Sequence, residues 1–228
     1  MSVERVLVIK LGALGDVVQA TGPFAAIRAH HSDAHITLLT APAFHDFLGR
    51  SDWFDAVWSD ERPRWRDLPG WCRLRSRLRG GRFDRAYDLQ TSDRSSLYYH
   101  LMAPGRRPEW SGIALGAALR HRNRDRDSMH TIDRQADQLA VAGIVDVPAP
   151  SLDWVTADTT RYGIGEPYVL LVPGGSAHRL EKRWPVRSYT ELARRLAARG
   201  VTPVMIGAGA DAPANGTVAS FCLEAVDL

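Results

Sequence analysis

Cysteine is almost absent from this chain, with only Cys72 and Cys222 in 228 residues. Two distant thiols exclude a disulfide framework and a cysteine zinc site, and they fit a reducing, cytoplasmic setting. Long apolar runs are missing too. No stretch approaches the roughly 18 apolar residues that cross a bilayer. The N-terminus has no cleavable apolar region either, because Glu4 and Arg5 precede a short run that Lys10 ends. Any encounter with a membrane is therefore expected from the outside. Apart from the adjacent His30 and His31, the eight histidines lack ligand spacing, so no metal is expected. Interleaved aromatics of a recognisable nucleic-acid module are also lacking, which argues against RNA or DNA as partner.

What is present is the composition of a folded protein, 45% apolar and 24% charged. The length suits two smaller α/β lobes, each able to bury a core. The net charge is only +3, yet nine arginines fall between Arg62 and Arg85, with Glu61, Asp67 and Asp84 as the acids of that stretch. Such a face is either a solvated surface or an anion-binding one.

Short apolar runs alternate with helical stretches. Val6–Ile9, His35–Leu39, Ala56–Trp58 and Arg85–Leu89 read as strands. Helices are expected over Asp16–Ala29, near Phe44–Gly49, and over Trp65–Leu78, Ser92–Met102 and Met129–Gly143. The order predicts parallel strands with helical crossovers, a doubly wound sheet. From Val147 to Pro167 three prolines and two glycines mark a linker, dividing the chain into lobes at 1–150 and 151–228. The second lobe offers strands at Tyr168–Val172 and Thr202–Ile206, a helix at Ser188–Arg199, one weak further helix and the start of a third strand. So small a sheet reads as an incomplete doubly wound lobe.

Two stretches could carry chemistry. In "VLVIKLGALGDVVQATG" a strand runs through Gly12 and Gly15 into a helix, placing Asp16 at the junction. The glycines would let a ligand approach the backbone, and Asp16 could take a proton from a hydroxyl at the carboxyl end of the strand. A helix dipole would keep such a carboxylate ionised, and therefore available but weak as a base. Asp16 could equally be a plain N-cap. The glycine spacing is not that of a dinucleotide fingerprint. In "PGGSAHRLEKRWP" Gly174 and Gly175 follow a strand, and Ser176, His178, Lys182 and Arg183 precede a helix. Amides, a hydroxyl and cations in that order suit a phosphate, although the P-loop pattern is absent; an ordinary basic loop is the plainer reading.

Together these stretches resemble glycosyltransferase family 9, the lipopolysaccharide core heptosyltransferases. "VLVIKLGALGDVVQATGP" is similar to the family's opening motif and "LLVPGGSAHRLEKRWP" to its K-x-W-P loop. "AYDLQTSDRSSL" resembles the D-L-Q-G-x-x-[KR]-S stretch, with Thr91 in place of the glycine and Arg94 in the basic place. "HTIDRQADQLAVAGI" resembles the H-x-x-[DE]-R helix. The resemblance implies two Rossmann-like lobes of GT-B type, with acceptor mostly on the first and nucleotide-sugar on the second. It implies an inverting transfer, without cofactor, from an ADP-sugar such as ADP-heptose to an anionic lipid-linked oligosaccharide at the inner face of the inner membrane, by a monomer. Asp16 would be the general base and Lys182 would pair with the donor diphosphate, with Ser176, His178 and Arg183 beside it. Asp211 would lie near the nucleoside ribose, and Arg73, Arg77 and Arg94 would meet the acceptor. The family's later D-T-G-x-x-H stretch has no counterpart before Leu228, so weak donor binding and little turnover are expected of these 228 residues. A dinucleotide-binding protein is the rival reading, since "GAGADA" formally contains G-x-G-x-x-A with Asp227 beyond it. Against that, Pro213 and Asn215-Gly216 interrupt the expected helix. A catalytically inert relative of the transferases is the other alternative.

Overall fold

The computed structural model describes residues 3–175, 183–207 and 209–228. The chain divides into two compact units, Met1–Thr156 and Ala157–Leu228.

The first unit is built on β1 (Arg5–Lys10), β2 (His35–Thr40), β3 (Ala56–Ser59), β4 (Arg85–Asp88), β5 (Glu109–Gly112) and β6 (Leu119–Arg120). All pair parallel, in the order β3-β2-β1-β4-β5-β6. Val6, Leu7, Val8 and Ile9 are all fully buried, as a strand covered on both faces must be. Successive side chains point to opposite faces. Accordingly Val6 and Val8 join one core with Phe24, Ile27 and Leu139, while Leu7 and Ile9 join the other with Leu74, Leu78 and Tyr98. The helices follow suit: α1 (Leu14–Gln19), α2 (Thr21–His30), α3 (His45–Leu48) and α6 (Thr131–Val141) contribute to the first core, α4 (Leu68–Gly80) and α5 (Asp93–Leu101) to the second. The doubly wound expectation is met.

Three local expectations are corrected. The single helix expected over 16–29 is two helices that meet at Ala20. Pro23 has no N–H to continue the ladder onto Gln19, and the Thr21 hydroxyl donates instead to Val18 O at 2.8 Å. β5 and β6 were not expected, because "EWSG" and a two-residue strand carry no apolar run or alternation to read. Residues 151–156 belong with the first unit. There Ser151 N donates to Thr21 Oγ1 (3.1 Å), and Trp154 packs on Phe47 and Trp53 with ring centroids 5.0 and 5.2 Å away.

The second unit holds β7 (Tyr168–Leu171), α7 (Val186–Ala197), β8 (Thr202–Met205), α8 (Ala212–Phe221) and β9 (Val226–Asp227). Its parallel order, β7-β8-β9, repeats that of β1, β2 and β3. Leu171, Ala193, Met205, Val218 and Cys222 form its core, while Tyr168, Val169 and Leu170 on the edge strand stay exposed. Among the described residues no helix is long and apolar enough to cross a membrane.

Gly22 lets the segment after α6 close on α2, since a Cβ there would lie 2.1 Å from the Pro148 carbonyl oxygen. Gly22→Ala is expected to lower unfolding stability by about 1–3 kcal/mol. Gly15→Ala, inside α1 with nothing within 4 Å of the new methyl, should raise it by about 0.5–1 kcal/mol. Denaturant melts of the two variants distinguish these outcomes, and equal effects would contradict the packing account.

Candidate functional site

The strand order of the first unit reverses between β1 and β4, and a sheet of this kind opens a crevice beyond its carboxyl ends at that reversal. The chain ties the two strand ends together there. Leu89 N donates to Ile9 O (3.0 Å), Lys10 Nζ to Leu89 O (3.2 Å), and Leu11 N to the Gln90 side-chain oxygen (2.8 Å). Lys10 is 4% exposed. Burial pushes its pKa below the usual lysine value and Arg134 adds to the fall, while Asp16 and Asp88 draw it back up.

Asp16 sits in the first turn of α1, whose N-cap is Ala13. The cap reading is therefore corrected: Asp16 lies inside the helix, because the turn begins two residues earlier than its sequence position implied, and its side chain makes no capping bond. The carboxylate is exposed and makes no hydrogen bond among the described residues. Gly12 gives it room, since a Cβ at residue 12 would lie 3.0 Å from Asp16 Oδ2 and 3.2 Å from Gln90 Oε1. Gly15 leaves the backbone beside it open.

Beneath the crevice Asp88 is wholly buried, with Oδ1 accepting from Gln90 N (3.1 Å) and Thr91 N (2.9 Å) and Oδ2 without a partner. Burial pushes its pKa up to about 6 despite those donors. Thr91 holds a left-handed φ of 47°, the conformation that glycine takes without strain. Gln138 Nε2 seals the other side, donating to Asp88 O at 3.0 Å.

The arginine-rich run is not one face. Arg75 donates to Leu101 O and Ala103 O at the end of α5, Arg85 pairs with Glu109, and Arg62 reaches Leu11 O at 2.9 Å. Arg73 and Arg77 line a cavity of about 620 Å³ with Asp60, Arg62 and Arg64. Arg77 also donates to Ser59 O (3.2 Å) and lies 4.5 Å from the Trp58 ring centroid. Arg94 is not one of the residues that line that cavity. It stacks over Trp71 and Trp65 at 5.2 and 5.8 Å, donates to Pro63 O (3.1 Å), and keeps Nη1 buried without a partner.

In the second unit Ser176, His178 and Lys182 lie outside the described residues. The flanks of their loop are described. Gly175 N donates to Asp211 Oδ1 at 3.3 Å, and Arg183 donates to Gly175 O. A Cβ at Gly174 would overlap the Asp211 carboxyl, at 2.0 Å from Cγ. Asp211 is thus bound into the loop that follows β7. α8 runs through Asn215 and Gly216, with Pro213 in its first turn where a missing N–H is harmless, so the helix objection to a dinucleotide turn does not stand. Asp227, the acid that reading needs, instead accepts from Asn215 Nδ2 at 2.8 Å.

Sequence reasoning missed Lys10, Asp88, Gln90 and Gln138. The signals available were a lysine ending an otherwise apolar strand, and an acid followed by an amide at the end of another.

A sequence profile of glycosyltransferase family 9 (heptosyltransferase) matches residues 71–221. No curated protein sequence matches significantly. Among solved structures, the chain is similar to a family 9 glycosyl transferase from Veillonella parvula DSM 2008, with TM-score 0.80 and 20% identity over 98% of this chain and 68% of that one. It is likewise similar to E. coli ADP-heptose LPS heptosyltransferase II, with TM-score 0.74 and 20% identity over 98% and 72%. A third is E. coli heptosyltransferase WaaC with ADP-2-deoxy-2-fluoro heptose, with TM-score 0.68 and 18% identity over 98% and 76%.

Asp88 provides a pH test. Its folded pKa of about 6 lies above the carboxylate reference value of 3.8, so its contribution to stability is full below that reference and is lost as pH rises toward 6. The stability of Asp88→Asn relative to the parent should therefore rise by about 2 kcal/mol between pH 4 and 7. A pH-independent difference in urea midpoints would contradict the buried-acid account.

Proposed function

Since the chain belongs to glycosyltransferase family 9 (heptosyltransferase) and is a glycosyltransferase, we propose that it moves a heptose or related sugar from an ADP-sugar to the lipopolysaccharide inner core. The acceptor hydroxyl attacks the anomeric carbon, the bond from that carbon to the diphosphate breaks, and configuration inverts. Asp16 takes the hydroxyl proton as the new bond forms. Lys182 meets the charge that grows on the departing diphosphate, assisted by Ser176, His178 and Arg183, because a fixed cation there stabilises the transition state more than the ground state. Asp211 shapes this loop from its bond to Gly175 N, on the ribose side of the donor. The acceptor is an anionic, lipid-linked oligosaccharide met at the cytoplasmic face of the inner membrane, and the protein works there as a monomer. Arg73 and Arg77 receive the acceptor's charge in the cavity they line.

The observation that carries this reading is the state of Asp16. Its carboxylate is exposed, uncommitted to a cap or a hydrogen bond among the described residues, and placed over open backbone beside the strand-order reversal. The structure solved with ADP-2-deoxy-2-fluoro heptose supports an ADP-linked donor by likeness of fold.

Asp16→Asn is expected to leave the melting temperature unchanged and to lower transfer at least about a hundredfold. Retained transfer would remove Asp16 from the chemistry. Arg73→Glu should raise the acceptor KM while leaving donor hydrolysis unaltered, and an unchanged KM would return that cavity to a surface feature.

A further inference from the structure

The amino end of the first sheet, opposite the crevice, carries a basic cavity that none of these roles uses. Its volume is about 290 Å³. Leu78 from the last turn of α4, Phe83 before β4, and Met102 and Pro108 before β5 make an apolar floor, and all four are buried. Three exposed arginines stand over it: Arg79 on α4, Arg82 in the turn that follows, and Arg106 in the loop into β5. The loop closes on the helix end, since a Cβ at Gly105 would lie 3.5 Å from Arg79 Nη2.

Little neutralises these cations. The side chains of Arg79 and Arg82 make no hydrogen bond or ion pair among the described residues. Arg106 pairs with Asp84 at 2.6 Å, and Asp84 also accepts from Arg5 N at 2.9 Å. The next acid, Glu109, is held by Arg85. The dipole at the C-terminus of α4 favours a cation in its last turn, which accounts for Arg79 but not for Arg82 or Arg106, since both lie off the helix. Arg82 moreover holds a left-handed φ of 49°, where glycine would fold with less strain.

The basic surface continues along α4, which has four arginines and no acid. Leu68, Cys72, Arg73, Ser76, Arg77 and Arg79 form its exposed side. Where the helix begins, Trp65 and Leu68 are 72% and 70% exposed. An apolar wedge thus stands about 18 Å along a basic helix from an apolar cavity rimmed with arginine, an arrangement that suits an anionic bilayer surface. A free phosphate would engage the arginines and leave the floor bare. A phospholipid engages both, with its phosphate on the guanidinium forks and its glycerol and first acyl carbons on Phe83 and Met102. We infer that this cavity takes the headgroup phosphate of an anionic phospholipid, and that the outer side of α4 is the surface by which the first unit docks on the bilayer. The inference rests on the membrane setting of the proposed function and on none of its chemistry.

Flotation of the full chain with lipid vesicles tests this without donor or acceptor. The parent should float with vesicles of mixed phosphatidylcholine and phosphatidylglycerol, less so as salt rises, and stay in solution with phosphatidylcholine alone. Arg79→Gln combined with Arg82→Gly should weaken partition about 10- to 30-fold. Arg82→Gly alone should lower partition yet raise the urea midpoint, whereas the loss of a merely structural arginine would lower the midpoint and leave partition unchanged. Leu68→Asp should weaken partition at an unchanged midpoint, and Asp16→Asn should float like the parent. Equal partition on the two kinds of vesicle, including none on either, would overturn the inference, as would equal partition by the parent and the double variant. So would calorimetric binding of soluble glycerol phosphate without partition onto vesicles, because the cavity would then serve a free organophosphate. None of these results bears on Asp16: transfer to an acceptor freed of its acyl chains tests the proposed function separately.

Discussion

The end of β1 is tied to the end of β4, and the functional account depends on that tie. Four consecutive apolar residues bury β1 on both faces, and Lys10 then brings a charge to the margin of the core, where its ammonium is satisfied by Leu89 O. The Leu11 amide meets the Gln90 side chain in the same place. These bonds span the point where the strand order reverses, so the same contacts that hold the sheet together also set the shape of its crevice. Gly12 keeps Asp16 and Gln90 free of a side chain between them, and Asp88 lies below with its pKa raised to about 6 by burial. The exposed carboxylate of Asp16 is thereby supported by buried groups that have little freedom to move.

The second unit handles its loop in a similar way with different residues. A glycine after the first strand admits an acid from the turn after the second, and that acid accepts from the next amide. Asp211 therefore acts first on the conformation of the loop that follows β7. This does not conflict with a place near a nucleoside, but it gives a reason for the Gly174–Asp211 pair that composition alone would not suggest.

Much of the fold was legible because parallel strands buried on both faces leave uninterrupted apolar runs, as in β1. The strands that escaped notice, β5 and β6, are short and carry few apolar residues, and their identity comes from pairing with β4. The break at Ala20 was hidden because Gly22-Pro23 can be read as a helix interior or as a fresh start, and the missing Pro23 N–H with the Thr21 hydroxyl bond to Val18 O marks the second. Asp16 was recognisable from its glycine-flanked position, whereas its release from capping needed coordinates. The arginine run shows the opposite failure. As sequence it is one basic block, yet in space Arg75 and Arg85 hold helix and strand ends and Arg94 lies against the stacked pair Trp65 and Trp71, which leaves Arg73 and Arg77 on a cavity.

The central claim is that Asp16 receives the acceptor proton. A crystal structure of the protein with both a non-transferable ADP-sugar and the oligosaccharide acceptor tests it most directly. The account predicts one Asp16 carboxylate oxygen at about 2.6–3.2 Å from the hydroxyl that faces the anomeric carbon. An acceptor hydroxyl aligned for attack on that carbon but bonded to a different base, with Asp16 facing solvent, would contradict it.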